Sequence, residues 1–140
     1  MLGEFFAARE DELDEQLLED GPSERDLEFV EAKALSEVTF ATLAEILGLG
    51  AYDDLVDRFV DVEWPTSTPE VGAYRLPLEF RNALADLREV DAAARSWAAT
   101  DELRRSQWQP EEAALVLREL RGLARTARDA GRELWYWWSL

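Results

Sequence analysis

Carboxylates are the main side chains in this sequence that could do chemistry, since histidine and cysteine are both absent. Without them the chain has no thiolate nucleophile, no imidazole base and none of the commonest zinc ligands. Paired carboxylates can act as general acid and base, but an acidic chain offers such pairs by chance, and no glycosidase-like context surrounds them. Gly48-Leu49-Gly50 is too short for a phosphate-binding loop. We therefore expect a protein that is not an enzyme and that binds no cofactor and no metal.

The net charge of −16 belongs entirely to one half of the chain. Residues 1–74 hold 20 acidic and four basic residues, whereas residues 75–140 hold 11 of each. Such an acidic surface repels nucleic acid, because binding phosphates requires cations. It attracts a basic protein, and the encounter is faster at low salt. We therefore predict a basic protein as the partner and no nucleic acid.

Seven acids are the candidates for contacting that partner: Asp11, Asp14, Glu15, Asp53, Asp54, Asp57 and Asp61. They form either a partner-binding face or the solvated exterior that a charge-rich helix surface usually is. Asp53, Asp57 and Asp61 also recur at every fourth residue, which raises the alternative of a carboxylate-dependent enzyme or a protein that binds Mg²⁺ or Ca²⁺. However, the sequence has no Asp-x-Asp-x-Asp-Gly loop, and acids spaced along a helix seldom converge on one ion.

Five arginines form a ridge along one predicted helix, spaced by alternating steps of three and four residues: Arg118, Arg121, Arg125, Arg128 and Arg132. At 100° per residue they fall within a sector of about 80°, beside the predicted core face. This arginine ridge has two interpretations. It binds an anion or an acidic partner, or its side chains lie along the core and pair with acids of the N-terminal half.

An aromatic segment, Trp135-Tyr136-Trp137-Trp138, lies near the end of the sequence. Bulky residues on both faces are typical of a strand that is covered on both sides or that lies at an interface. Trp135 and Trp137 are therefore candidates either for the core or for an interface, where tryptophan often dominates the binding energy. Both a monomer and a homodimer are compatible with this pattern.

Two helices carry clear start and stop signals. Ser36 is suited to cap a helix over 37–47 that Gly48 ends, and this helix is apolar nearly all round, so we expect it to be the buried central helix. Pro110 suits the first turn of a long helix that Gly131 ends, and two acids follow at the positive end of its dipole.

The remaining elements follow from apolar periodicity and turn residues. Phe5-Phe6-Ala7 is a first strand or the beginning of a helix. The others are helices over 10–18, 52–60, 77–89 and 92–99, a short helix after Thr100, and strands over 27–34, 71–76 and at the aromatic tail. A loop over 64–70, Trp64 to Glu70, divides the acidic half from the neutral half.

This order of elements predicts an α+β fold with a small sheet and five to six helices; a mostly α fold is the alternative. The 140 residues suit a single domain, 1–140, with an acidic half 1–74 and a neutral, arginine-rich half 75–140. No apolar stretch is long enough to span a membrane, and the first residues lack the basic region of a signal peptide. We therefore expect a cytoplasmic protein that is not associated with a membrane.

The order of several segments resembles the YfbM-like family of small bacterial proteins of uncharacterised function. The similar segments are Phe5-Phe6-Ala7 before an acidic helix, 38–47, Tyr74-Arg75-Leu76-Pro77, and the long helix that leads to an apolar last strand. In acidity, size and lack of catalytic groups the chain also resembles bacterial immunity proteins, which neutralise toxins. The residues and these resemblances together predict a non-enzymatic protein-binding domain of the immunity or inhibitor type, with its acidic face against a basic partner.

Overall fold

A five-stranded antiparallel sheet is the centre of the structure, a computed structural model that describes residues 1–61 and 70–140. In spatial order its strands are β2-β1-β5-β4-β3, and every neighbouring pair is antiparallel. The strands are β1 Leu2–Ala8, β2 Phe29–Glu31, β3 Val60–Asp61, β4 Val71–Arg75 and β5 Glu133–Ser139. The predicted loop over 64–70 lies almost entirely outside the described residues.

Helices surround this sheet. They are α1 Glu15–Asp20, α2 Glu37–Ile46, α3 Tyr52–Leu55, α4 Leu78–Ala85, α5 Val90–Ala98, α6 Asp101–Arg105 and α7 Pro110–Asp129. Short 3₁₀ turns occupy Glu10–Glu12, Pro22–Arg25 and Val56–Arg58. The result is a single compact α+β domain, which confirms the predicted fold class, with seven α-helices in the described residues instead of five or six. Within these residues no helix is long and apolar enough to cross a membrane.

The central strand β5 is buried on both faces, because its side chains alternate between two separate cores. Leu134 and Tyr136 belong to the larger core, whereas Trp135 and Trp137 belong to the smaller one. We call the sheet surface under the larger core the major face and the opposite surface the minor face. The aromatic tail is therefore a strand covered on both sides, one of the two arrangements that its composition predicts.

Six helices, α2 to α7, pack on the major face. The helix α2 is central, as its all-round apolar sequence predicts: its Phe40 is fully buried and contacts the rings of Phe5, Phe59, Tyr74 and Tyr136. The predicted core face of α7 is buried without exception: Ala113, Val116, Leu117, Leu120, Leu123, Ala124 and Ala127. Six helices thus give this face most of the protein's apolar burial, the main favourable term in folding.

Within residues 1–61 and 70–140, one short helix, α1, packs on the minor face. Its Leu17 and Leu18 are buried against Phe6, Trp135 and Trp137. The sequence predicts a longer helix over 10–18, but the chain is extended at Leu13, with ψ of 138°. The helix begins after Asp14, whose carboxylate accepts a hydrogen bond of 2.8 Å from the Leu17 backbone N–H. Asp14 is therefore an N-cap, and this local bond separates α1 from the preceding 3₁₀ turn.

Three other predicted elements are shorter than expected. The strand predicted over 27–34 is limited to β2, in which Val30 is buried and Phe29 is 41% exposed. The helix predicted over 52–60 ends at Leu55, and Val60 lies in β3. The helix predicted over 77–89 ends at Ala85, where an arginine side chain from α7 binds the carbonyl oxygen.

Candidate functional site

The acidic layer, which we define as residues 10–28, covers the minor face of the sheet. It contains the 3₁₀ turns Glu10–Glu12 and Pro22–Arg25 with α1 between them. Ten of its 19 residues are acidic, and Arg25 is its one basic residue. The layer therefore concentrates on one side of the sheet much of the charge that the sequence assigns to residues 1–74.

Buried polar contacts attach this layer to the sheet. The indole N–H of Trp137 donates a 2.7 Å hydrogen bond to the Leu18 carbonyl at the last turn of α1. The Glu4 carboxylate of β1, only 9% exposed, accepts hydrogen bonds of 3.1 Å from both the backbone N–H and the hydroxyl of Ser23. Gly21 lies directly under the Trp137 ring, so that a Cβ at this position would come within 2.9 Å of it. These contacts fix the position of the layer's backbone.

Four acids in the first part of the layer are paired with arginines. Glu12 binds Arg132 at 2.9 Å, and Glu10 binds Arg75 at 3.4 Å. The remaining two pairs are Asp11 with Arg9 and Asp14 with Arg25. These contacts neutralise the end of the layer that lies towards β5 and the last turn of α7.

The pairing lowers two carboxyl pKa values. The hydrogen bond from the Arg132 guanidinium, followed by one from the Arg9 backbone, lowers the pKa of Glu12 below its usual range. In Asp14 the hydrogen bond from Arg25 is the main cause of a lowered pKa, and the Leu17 backbone N–H contributes to it. Both carboxyls are therefore held in the charged form.

The other six acids of the layer are all exposed and form no ion pair with any described residue. These open carboxylates are Glu15, Glu19, Asp20, Glu24, Asp26 and Glu28. The undescribed segment 62–69 contains no lysine or arginine that could neutralise them. The layer thus presents six negative charges to solvent on a backbone that is attached to the sheet.

The structure separates the seven acids that the sequence suggests as one face. Asp11, Asp14 and Glu15 lie in the acidic layer on the minor face. Asp53 and Asp54 lie in the first turn of α3, which is attached through Leu55 to the core of the major face. One partner surface cannot include both groups without reaching around the sheet.

The predicted ridge of Asp53, Asp57 and Asp61 does not exist as a helix surface. Asp57 lies in a 3₁₀ turn, and Asp61 lies in β3, opposite Tyr74 of β4. The Tyr74 hydroxyl is partly buried, donates a 2.7 Å hydrogen bond to Glu37 and lies near Asp61, and these effects raise its pKa. No group of three or more acids in the described residues is arranged to hold a metal ion. The three acids of the predicted ridge therefore do not share one helix surface.

The arginine ridge binds within the chain, as one of its two interpretations predicts. Four of its side chains bind residues 85–91, which join α4 to α5: Arg118 to Asp91, Arg121 to the Leu87 carbonyl, Arg125 to the Ala85 carbonyl and Arg128 to Asp86. In the part of the acidic half that the structure describes, only Arg132 of the ridge finds a partner, at Glu12. The expectation that the ridge pairs with acids of the N-terminal half is therefore wrong for four of the five arginines. Their partners lie beside α7 in space, and helix spacing alone cannot identify such partners.

Trp135 and Trp137, the candidates for an interface, lie inside the chain. They are 1% and 4% exposed, and their indole N–H groups donate to the Ala8 and Leu18 carbonyls. This placement favours the core interpretation of the tail.

Several open carboxylates were missed by selecting acids at helical spacing. Glu19, Asp20, Glu24, Asp26 and Glu28 are exposed and lie next to one another along the layer. The run of acids in the sequence could have identified them, because residues 10–28 contain ten acids and a single arginine.

A cleft of about 430 Å³ lies between the acidic layer and the last turns of α7. Its lining is largely apolar and includes Leu17, Leu27 and Leu123. Its charged groups are Glu12, Arg25, Glu28 and Arg132. Because Arg132 is paired with Glu12 and Arg25 with Asp14, Glu28 is the one charged group of this lining that has no ion pair with a described residue.

The chain matches no family model, no curated protein and no solved structure. Its function has to be inferred from its own geometry and charge.

Proposed function

We propose that this protein is a non-enzymatic, cytoplasmic protein-binding domain of the immunity or inhibitor type, and that its acidic layer binds a basic protein. The observation that supports this most directly is the set of six open carboxylates on residues 15–28. Ordinary soluble surfaces intersperse both signs of charge. In the layer, by contrast, the one arginine is already paired with Asp14, at 2.5 Å.

Such a surface favours association with a cation-rich partner in two ways. Its summed potential steers the partner and raises the association rate, most strongly at low ionic strength. The bound partner also relieves the repulsion between carboxylates that the isolated protein must tolerate.

Attachment of the layer to the sheet supports the same proposal. The contacts at Trp137, Glu4 and Gly21 fix the backbone that carries the charges. A preorganised surface loses less conformational entropy on binding than a mobile acidic tail. A fixed array can also be specific for one arrangement of cations, as an inhibitor of a single basic protein requires.

The test compares wild-type protein with two variants of equal charge. In the layer variant, Glu15, Glu19 and Glu24 are replaced by Gln; in the control variant, Glu89, Glu111 and Glu119 are replaced by Gln. The control acids are exposed and lie on or beside the helices of the major face. Each tagged protein is used to capture partners from a lysate of the source cells at about 0.05 M and about 0.5 M salt, a range over which screening increases severalfold.

We expect wild-type and control proteins to capture the same basic protein at low salt and to lose it at high salt. The layer variant should capture much less of it. Recovery of no basic protein, or an equal loss from both variants, would contradict the proposal.

A further inference from the structure

The outer edge of β2 is an unpaired strand edge. The strand lies at the end of the sheet and, among the strands of the described residues, pairs only with β1, in a register that sets Val30 opposite Phe5 and Phe29 opposite Phe6. Two residues beyond Val30 in this register, the Ala32 N–H donates a 2.9 Å hydrogen bond to the Gly3 carbonyl, and Glu31 lies opposite Glu4 between these two pairs. In antiparallel pairs, hydrogen-bonded and non-hydrogen-bonded positions alternate. Val30 therefore directs its backbone groups towards β1, and Phe29 and Glu31 direct theirs outwards.

These outward groups have no partner in the described part of the chain. The backbone N–H and C=O of Phe29 and Glu31 form no hydrogen bond with another described residue, and both residues are exposed. Two donors and two acceptors in this arrangement are a template for one more strand.

Charge around the edge selects the kind of strand that fits. Three exposed acids precede β2 in the sequence and Glu31 lies within it: Glu24, Asp26 and Glu28 are the preceding ones. Lys33 is the one cation of residues 24–33 that forms no ion pair with a described residue. A second copy of this chain would bring its own acids against them, and like charges across a strand pair are destabilising. A segment rich in lysine or arginine has the opposite, complementary charge.

The cleft described above adjoins this edge. Leu27 and Glu28, which immediately precede β2, line it together with Leu123 and Thr126 of α7. A lysine or arginine stem can pack along apolar surface while its charged end remains at a carboxylate. An added strand that continues past β2 therefore meets an apolar cleft with Glu28 beside it.

We propose that the free edge of β2 docks a basic, extended segment of the partner protein by strand addition, with a basic side chain of that segment at the cleft. This inference rests on the proposed function and specifies how the basic partner is held. Backbone hydrogen bonds to Phe29 and Glu31 give the register, and the surrounding acids select cations.

The probe for this inference is a synthetic peptide of about nine residues that alternates lysine and valine. A control peptide of the same length and charge has proline in place of valine, so that it cannot pair as a strand. We expect the alternating peptide to bind the wild-type chain more tightly by about tenfold or more. On binding, hydrogen exchange should slow at the amides of Phe29 and Glu31.

Two variants separate the backbone edge from the side chain. Phe29→Pro removes an outward N–H while leaving the bonds between Val30 and Phe5 in place, and Phe29→Ala removes the same side chain but keeps the N–H. We expect Phe29→Pro to lose the alternating peptide and Phe29→Ala to retain most of its binding. Hydrogen exchange at the amides of Phe29 and Glu31 in the wild-type chain tests strand addition without any variant. The inference can therefore be tested even if Phe29→Pro does not fold.

Four results would overturn the inference. Equal binding of the two peptides, or exchange that slows only at residues 15–24, would indicate attraction by the acidic layer without strand addition, and the proposed function would stand. Absence of any peptide binding would reject the edge as a docking site, while capture of a basic protein tests the proposed function separately. Slow exchange at Phe29 and Glu31 that depends on protein concentration alone would identify a second copy of this chain as the occupant.

Discussion

The two faces of the sheet are covered in very different ways. Six helices cover the major face, whereas the minor face has one helix of six residues flanked by two 3₁₀ turns. The layer on the major face is held by a large apolar core. The acidic layer on the minor face has a small core of eight residues and is attached by a few hydrogen bonds and one close glycine contact. A layer with so much like charge is thus held by a small core together with individual polar contacts.

Removing a large side chain from the major core should have the largest effect. Trp97 is fully buried there, and its indole N–H donates to the Thr39 carbonyl. We expect Trp97→Ala to lower the free energy of unfolding in urea by about 4 kcal/mol, because it leaves a large cavity in the core. Leu18→Ala, at an equally buried position of α1, should cost about 2–3 kcal/mol. A larger loss for Leu18→Ala than for Trp97→Ala would show that the minor core contributes more to stability than the major core, contrary to this expectation.

Gly21→Ala tests the close contact at the minor face. Its φ of +86° is strained for any residue with a Cβ, and that Cβ would lie 2.9 Å from the Trp137 ring. We expect a loss of about 2–3 kcal/mol in urea unfolding. The control is Gly48→Ala, since Gly48 has a similar φ of +83° but no atom near the added Cβ. It should cost about 1 kcal/mol from backbone strain alone, and equal losses would show that the indole contact is unimportant.

Trp137→Phe should loosen the acidic layer locally. The substitution keeps a ring in the minor core but removes the donor to the Leu18 carbonyl. We expect a loss of about 1–2 kcal/mol, together with faster hydrogen exchange at the amides of α1. Trp97→Phe removes the equivalent bond on the major face and should leave exchange in α1 nearly unchanged. If α7 amides accelerate as much as those of α1 in Trp137→Phe, the layer is not a separate unit.

The smallest effect is the pH dependence from Glu12 and Asp14. Folding lowers both pKa values, so the two ion pairs stabilise the native state above the ordinary carboxyl pKa, and this contribution is lost as the pH falls through the lowered values. We therefore expect the free energy of unfolding to decrease below roughly pH 4.5. Glu12→Gln should make this decrease shallower. Because both carboxyls are largely solvated, the change is small, and an unchanged slope in the variant would assign the acid dependence to other groups.

Elements with strong local signals could be predicted from the sequence. Ser36 and Gly48 bound α2, and Pro110 and Gly131 bound α7, because caps and stops act within a few residues of the chain. The strand β5 was recognisable from bulky residues at successive positions. The short elements were not: β2 and α3 are formed by tertiary contacts, which override the weak pattern of three or four residues.

The candidate site was predictable only in part. Charge counting located the excess in residues 1–74, and the run of acids over 10–28 was visible. Helical spacing could not reveal that Asp53 and Asp57 lie across the sheet from Glu15, because the face on which a helix packs depends on contacts distant in sequence. For the same reason the partners of Arg121 and Arg125 were unexpected. The resemblance to the YfbM-like family and the choice between monomer and homodimer stay predictions.

The pairing of β1 with β5 has a consequence for synthesis of the chain. The ribosome produces β1 about 130 residues before the strand that it pairs with along its whole length. Until β5 emerges, Phe5 and Phe6 have no central strand to lie beside, and Leu17 and Leu18 lack the indoles that cover them. Contacts so distant in sequence slow folding. The nascent acidic segment must therefore stay unassembled through most of translation, with its own charge repulsion helping to keep it from aggregating.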